Sequence, residues 1–402
     1  MRSVLRGVWV AAALLALAGC GGGGGGGGGG TAAPPQNTQL IVVDPGPANT
    51  VNLLFTSVTV CTPGDTGRCQ TIDHILVDTG STGLRIISSV LNATLASLPA
   101  QTDASGIPIV ECMQFLDGFS WGPVKLADVW VAGEKASSVP IQVIGDPAYP
   151  VIPSACANTG PPGNTVADFG ANGVIGLGVF LEDCGVACAS TSLVGLYYAC
   201  PTSSTCRAAT VPTSKQVQNP AAMFPGDNNG VIIDLPAIAP SGAATATGSL
   251  IFGVGTQANN GLGAATVVPV DPDTGNVVTV YNGRTYADSF FDSGSSVLFF
   301  GTTAFPVCRG IAAGLYCPAS TQTLSAIVRG ANNVSSTVTF SVANADALFA
   351  ANPFFTAFGN LAAPNPYSTG FDWGLPFHFG RRVYTVFEGR MSPGGAGPYV
   401  AY

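Results

Sequence analysis

The chain has 402 residues, 47% of them apolar and only 9% charged, with a formal net charge of −8. That length holds one large or two medium cores, and the acidic balance excludes a nucleic-acid partner, because no basic patch can neutralise phosphates. The 53 Gly and 30 Pro, beside frequent Val, Thr, Ile and Phe, predict an all-β chain of many short strands. With only His74 and His378 present, any histidine-based triad or metal site must draw on those two, and ordinary strand histidines are the simpler reading.

At the N-terminus Arg2 and Arg6 precede an apolar run over residues 8–17, the layout of a secretory signal and too short for an ordinary spanning helix. Its ending, Leu17-Ala18-Gly19-Cys20, resembles the bacterial lipobox, in which the cysteine becomes the lipidated first residue. A plain signal peptide with an incidental cysteine is the alternative. Residues 1–20 are thus expected to be a lipoprotein signal peptide with Cys20 as the lipidation site. Residues 21–37, opening with an unbroken glycine tract, are expected to be a Gly/Pro-rich tether reaching roughly 20–25 Å. Since residue 21 is Gly and not Asp, similarity to enterobacterial sorting places this exported lipoprotein at the outer membrane, on its periplasmic face or at the cell surface.

Beyond the tether, residues 40–43 and 51–61 read as strands. Residues 61–69 read as a hairpin loop with a cysteine at each end, and a strand then leads to Asp78. A hairpin follows within residues 110–134, its tip expected at 116–122 and its return strand at 125–131. Residues 169–178 form an apolar run broken by glycines, as where backbones approach closely. Strands are expected at 228–234 and 248–254, with 265–270 pairing the latter. Residues 277–286 are a strong hairpin signal, since Asn282-Gly283 suits a type I′ turn. That hairpin delivers Asp292, as the strand pair at 56–77 delivers Asp78: an internal repeat.

Leaving Cys20 aside, ten cysteines remain, an even number in an exported chain, so disulfides are expected. Proximity pairs Cys61 with Cys69 and Cys308 with Cys317. The four at Cys184, Cys188, Cys200 and Cys206 can nest as Cys184–Cys206 around Cys188–Cys200, leaving Cys112 with Cys156. Connectivity does not follow from spacing, and that cluster could instead bind zinc.

The repeat carries the chemistry. His74-Ile75-Leu76-Val77-Asp78-Thr79-Gly80-Ser81 recurs in kind as Ser289-Phe290-Phe291-Asp292-Ser293-Gly294-Ser295. Either turn alone is unremarkable; the pair, with similar flanks and hairpins, points to two carboxylates that meet. Two such groups cannot both ionise cheaply, so they share a proton and one serves as base while the other is acid. A water between them can then attack an amide carbonyl. Gly80 and Gly294 let backbone N–H groups approach each carboxylate, Ser81 and Ser295 can donate to its outer oxygen, and Thr79 and Ser293 can reach across to the opposite half. A glycosidase would need its two carboxylates further apart.

On these residues the chain resembles the pepsin-like aspartic proteases, and within them a bacterial lipoprotein branch. Val174-Ile175-Gly176 looks like the hydrophobic-hydrophobic-Gly element of the N-lobe psi loop. Asp372-Trp373-Gly374, followed by Tyr384-Thr385-Val386-Phe387, looks like its C-lobe counterpart, although Asp372 departs from the apolar pattern. The resemblance implies a bilobal all-β fold with pseudo-twofold-related lobes. The N-terminal lobe would span residues 38–247, and the interlobe strands with the C-terminal lobe residues 248–402. It implies an aspartic-type endopeptidase with Asp78 and Asp292 catalytic, no metal or cofactor, a peptide or protein substrate in the interlobe cleft, and a monomer held at the membrane by its lipid anchor. The family's flap tyrosine is missing: the matching hairpin offers Phe115, Phe119 and Trp121, of which only Trp121 could donate a hydrogen bond. Arg85 stands where the family often has tryptophan. The missing tyrosine motivates an alternative, a non-catalytic binding protein of the same fold.

Overall fold

The computed structural model describes residues 36–402, so the expected signal, lipidation site and most of the tether lie outside the described residues. What is described is dominated by β-structure, with only short helices. No helix among the described residues is long and apolar enough to cross a membrane.

The first half holds β1 (Thr38–Val43), β2 (Leu54–Thr62), β3 (Asp65–Asp78), β4 (Thr82–Ile87), β5 (Ile109–Phe115), β6 (Gly118–Val131), β7 (Glu134–Ile144) and β8 (Gly173–Leu177). After β9 (Tyr197–Thr202) and β10 (Thr205–Ala208) come β11 (Gly230–Asp234), β12 (Ala246–Phe252) and β13 (Val267–Pro269). The second half continues with β14 (Val277–Tyr281), β15 (Arg284–Phe291), β16 (Leu298–Phe299), β17 (Gln322–Arg329) and β18 (Ser335–Val342). It ends with β19 (Ala362–Ala363), β20 (Gly370–Trp373), β21 (Arg382–Val386), the small β22–β23 hairpin (Met391–Ser392, Gly395–Ala396) and β24 (Tyr399–Ala401). One 15-stranded sheet runs β10-β9-β5-β6-β7-β4-β8-β3-β2-β1-β12-β11-β21-β24-β13, and a 7-stranded sheet runs β18-β17-β14-β15-β20-β16-β19.

Burial follows strand position. In β17 inward Ala326 and Val328 alternate with exposed neighbours, the pattern of a sheet wetted on one face. All five residues of β8 are buried, because β8 lies between β3, which it pairs in parallel, and β4, which it pairs antiparallel. The same three-strand arrangement recurs in the second sheet, where β20 pairs in parallel with β15 and antiparallel with β16. In each copy a glycine near the end of the middle strand, Gly176 in β8 and Gly374 just after β20, is pressed against the chain that follows the aspartate turn: a Cβ on Gly176 would lie 2.6 Å from Thr82 N, and one on Gly374 2.1 Å from Val297 O. The first core is aliphatic, built on Val, Ile and Leu of β1–β4, β6 and β7. The second is aromatic, with Phe300 stacked on Phe371 at 4.9 Å and Phe371 on Trp373 at 4.3 Å. Each large apolar side chain so buried contributes about 1.5–3 kcal/mol.

Three local expectations are corrected. The hairpin tip is only Leu116-Asp117, with Phe115 paired to Gly118, so residues 118–122 belong to the return strand. The segment at β13 pairs with β24 rather than with β12, whose two edges are already occupied by β1 and β11. The four-cysteine cluster does not nest: Cys184 joins Cys188 within one short helix and Cys200 joins Cys206 across the β9–β10 hairpin. Cys61–Cys69, Cys112–Cys156 and Cys308–Cys317 complete the set. The Asn282-Gly283 turn has φ of 50° and 74°, both left-handed as a type I′ turn requires.

Candidate active site

Asp78 ends β3 and Asp292 follows the last residue of β15. Their carboxyl groups meet at the two turns: a Cβ on Gly294 would lie 2.9 Å from Asp78 Oδ1 and 3.1 Å from Asp292 Oδ1, and both groups are almost fully buried at 7% and 8% exposure. Each is held by its own turn in the same way. Gly80 N donates to Asp78 Oδ1 at 2.7 Å and Ser81 Oγ to Asp78 Oδ2 at 2.5 Å. Gly294 N donates to Asp292 Oδ1 at 2.7 Å and Ser295 Oγ to Asp292 Oδ2 at 2.8 Å. The turns pass so close that a side chain would not fit: a Cβ on Gly80 would sit 2.7 Å from Asp292 Cγ, and one on Gly294 2.8 Å from Asp78 Cγ.

Beneath the carboxyls the two halves exchange hydrogen bonds. Thr79 Oγ1 accepts from Ser293 N at 3.0 Å and donates to Phe291 O at 3.2 Å. Ser293 Oγ accepts from Thr79 N at 3.1 Å and donates to Val77 O at 2.7 Å. Each hydroxyl thus uses its one proton and one lone pair on the opposite half, and four buried polar groups are satisfied by two side chains. This pairing sets the separation of the aspartates. Burial first, and then the neighbouring Asp78 charge, push the Asp292 carboxyl well above the ordinary carboxylate range.

The dyad floors a cavity of about 1110 Å³. Phe115, Leu116 and Phe119 of the β5–β6 hairpin line one side with Phe169, which meets Phe115 edge-on at 5.6 Å. Phe290, Phe299 and Tyr367 line the other. Trp121 is not among the lining residues. Its indole N–H donates to Tyr149 O at 3.0 Å and its ring packs against Tyr198, so it anchors the hairpin base.

Two features carry no obvious signal in the sequence. Asp372, on β20, is 1% exposed and lines the cavity floor, with its Oδ2 2.6 Å from Ser295 Oγ and its Oδ1 without a partner. Burial pushes this carboxyl well above its ordinary range. Its place in a strand otherwise built of Phe and Trp was the only hint. The other is Arg85 on β4, fully buried. It donates through Nη2 to Glu111 Oε1 at 2.6 Å and to Asp183 Oδ2 at 2.9 Å, and through Nη1 to Thr82 O at 2.7 Å. Tyr197 Oη donates to Asp183 Oδ1 at 2.7 Å. This network ties the strand leaving the Asp78 turn to β5, the outgoing strand of the hairpin over the cavity.

A family model matches residues 33–402, nearly the whole chain. The chain belongs to that family, described as a protein of unknown function (DUF3443). No curated protein matches it significantly. The match extends over the whole of the described β-structure, so both aspartate turns, the hairpin above them and Asp372 all fall within the DUF3443 region.

His378 is buried with both ring nitrogens unpartnered, and burial lowers it to about 3, so it is neutral and takes no part in the dyad. All ten cysteines of the described residues are in disulfides, which leaves no thiolate to ligate a metal there.

Proposed function

We propose that this protein is an aspartic-type endopeptidase with a pepsin-like bilobal fold, the first lobe carrying Asp78 and the second Asp292. The observation that carries this is the meeting of the two buried carboxyls at the Gly80 and Gly294 turns, held by reciprocal Thr79 and Ser293 hydrogen bonds. The twice-occurring arrangement of a middle strand between one parallel and one antiparallel neighbour supports the paired-lobe reading. Two carboxyls that meet share one proton; burial and the neighbouring Asp78 carboxyl push Asp292 well above the ordinary carboxylate range, which suits Asp292 to the role of acid and leaves the role of base to Asp78. A water held between them gives a proton to Asp78 as its oxygen attacks the peptide carbonyl, while Asp292 gives its proton to the carbonyl oxygen. Collapse of the tetrahedral intermediate breaks the C–N bond, the amine leaves with a proton, and the shared proton is restored to the pair.

The apolar walls favour an extended peptide with apolar side chains on either side of the cleaved bond. With Cys20 lipidated, the substrate would be met at the cell envelope. Cleavage of a peptide library at acidic and neutral pH tests the proposal, comparing the wild type with Asp78→Asn and Asp292→Asn. Cleavage that survives both substitutions, or pure protein inactive on every peptide, sinks it. A second reading, a binding protein using the same cleft, is favoured by the β5–β6 hairpin, whose cavity-lining Phe115 and Phe119 supply no hydroxyl. Peptide binding unaffected by either Asn substitution would select it.

A further inference from the structure

The two halves of the site share their hydrogen-bond pattern but differ in charge at one buried position. In the first half, the residue of the middle strand opposite Leu76, two before Asp78, is Val174. In the second, the residue opposite Phe290, two before Asp292, is Asp372. Its neighbours Phe371 and Trp373 pack into the aromatic core, so strand alternation turns Asp372 to the other face, under the cavity. A valine there is buried at no polar cost. A carboxylate at the same place is costly unless it is neutralised or paired with a cation.

No cation is there. Asp372 is flanked by Phe290 on β15 and Phe299 on β16, and the titratable groups that face it are the carboxyls of Asp78 and Asp292. Among the described residues no basic side chain pairs with it. Its polar contact is Ser295 Oγ at 2.6 Å, and that same oxygen lies 2.8 Å from Asp292 Oδ2. A serine hydroxyl has one proton to donate. The dyad shares its proton between the inner oxygens, Asp78 Oδ1 and Asp292 Oδ1, which face one point at the Gly294 turn, so Asp292 Oδ2 remains an acceptor. With Asp372 ionised as well, one of these contacts would bring two oxygens together with no hydrogen between them. A proton on Asp372 removes the conflict: Asp372 donates to Ser295, and Ser295 donates to Asp292.

We propose that Asp372 is a third carboxyl of the site, kept neutral, whose proton aims the Ser295 hydroxyl at the outer oxygen of Asp292. It is a positioning residue acting through Ser295. Loss of its proton turns the hydroxyl towards Asp372, since a hydroxyl prefers a charged acceptor, and takes the outer donor from Asp292. The alkaline limit of the site is then set by two protons, the one shared by the dyad and the one on Asp372. The link to ligand binding rests on the proposed shared-proton dyad; the proton on Asp372 does not.

The test uses the full chain, a statine-containing peptide as probe, and Asp372→Asn, whose amide can donate to Ser295 but never becomes charged. On the alkaline side, log affinity against pH is expected to fall with a limiting slope of about two protons in the wild type and about one in Asp372→Asn, with the midpoint of the variant at higher pH. Ser295→Ala, which cuts the link, also reduces the slope to about one. Equal slopes in wild type and Asp372→Asn overturn the positioning role. Thermal melting reads the proton by itself. A folded-state carboxyl raised above its unfolded value stabilises below the unfolded pKa and loses that contribution as pH rises. The wild-type Tm should therefore fall relative to that of Asp372→Asn as pH climbs past the ordinary carboxyl range; a Tm difference independent of pH overturns the proposal. If wild type binds no statine peptide at any pH, the dyad reading fails while the melting comparison still decides whether Asp372 is neutral. Should Asp372→Asn not fold, Asp372→Val, which copies the first half, carries the same two readings.

Discussion

Replacing Arg85 by Met should destabilise the protein in a strongly pH-dependent way. In the wild type one buried guanidinium bonds both Glu111 and Asp183, which brings the two carboxyls close to each other. Burial works against the Arg85 charge, but the two acids outweigh it and raise its pKa, so it remains a cation. Burial, followed by the Glu111 charge, raises Asp183 well above the ordinary range. The pair therefore retains a proton that the unfolded chain gives up. Without Arg85 the remaining carboxylate has no counter-charge and must bind a further proton to stay buried.

The size of the effect follows from that extra proton. Each pH unit over which the folded state holds a proton that the unfolded state has released costs about 1.4 kcal/mol. From pH 4, near the unfolded carboxyl value, to pH 7 this amounts to about 4 kcal/mol, within the roughly 3–5 kcal/mol known for breaking a buried ion pair. The sign is fixed: a raised carboxyl contributes its stability below the unfolded pKa and loses it as pH rises, so the penalty is small at pH 4 and largest at neutral pH. With an unfolding entropy of about 2.1 cal/mol/K per residue, the described chain should melt about 5 °C lower at pH 7 and within about 1–2 °C of wild type at pH 4. Calorimetry at the two pH values measures this. An equal Tm loss at both would refute the reasoning, because it would make the Arg85 contribution one of packing rather than charge. Replacing Arg85, Glu111 and Asp183 together by apolar residues should recover much of the loss.

Gly294→Ala, whose new Cβ would sit 2.8 Å from Asp78 Cγ, forces the two carboxyls apart by roughly 1 Å. It should lower kcat/KM on any cleaved peptide by about 100-fold, with about 1–3 kcal/mol of lost stability from overpacking; unchanged kinetics would contradict the close packing of the dyad. Thr79→Val keeps the shape but strands the buried Ser293 N–H and Phe291 carbonyl, which should cost about 2–5 kcal/mol in denaturant unfolding. Ser293→Ala should cost a similar amount, and a double substitution clearly less than the sum of the two. Peptide mapping without reduction should recover Cys184 with Cys188 and Cys200 with Cys206; a Cys184–Cys206 peptide would contradict the pairing.

What was legible in the sequence was local. Asn282-Gly283 announces its hairpin because only residues tolerant of positive φ suit both turn positions. The Cys61–Cys69 link follows from a short loop between two strands. The aspartate turns stand out because they recur. The reach of Thr79 and Ser293 across 214 positions could be read from the repeat as well, because each follows its aspartate. Other features that depend on distant partners are hidden. Phe119 and Trp121 resemble loop aromatics, which shifts the expected hairpin tip towards them, yet their strand register buries both. The Cys184–Cys188 link needs one helical turn at 185–190 that the loop-rich composition concealed. Arg85 read as an oddity in an apolar strand because its acids come from two other segments, 26 and 98 residues away.

The near-twofold floor of the site raises the question of what distinguishes its two aspartates. Their own turns do not: each carboxyl accepts one glycine N–H on Oδ1 and one serine hydroxyl on Oδ2. Nor does burial, which is nearly equal. A perfectly symmetric pair would place its proton on either side with equal ease and could not commit one group to be the acid. The difference lies one layer down, where Val174 in one half is matched by Asp372 in the other. Only Ser295 has a second carboxyl behind it. A neutral Asp372 keeps the Ser295 hydroxyl on the outer oxygen of Asp292 while the shared proton lies on the inner side; an ionised one takes that hydroxyl and sets a second negative charge beside Asp292, which then holds the shared proton more tightly. One buried side chain thus sets how readily Asp292 gives up its proton, according to its own state. For that reason Asp372, more than either aspartate turn, is where the pH behaviour of this site should be altered first.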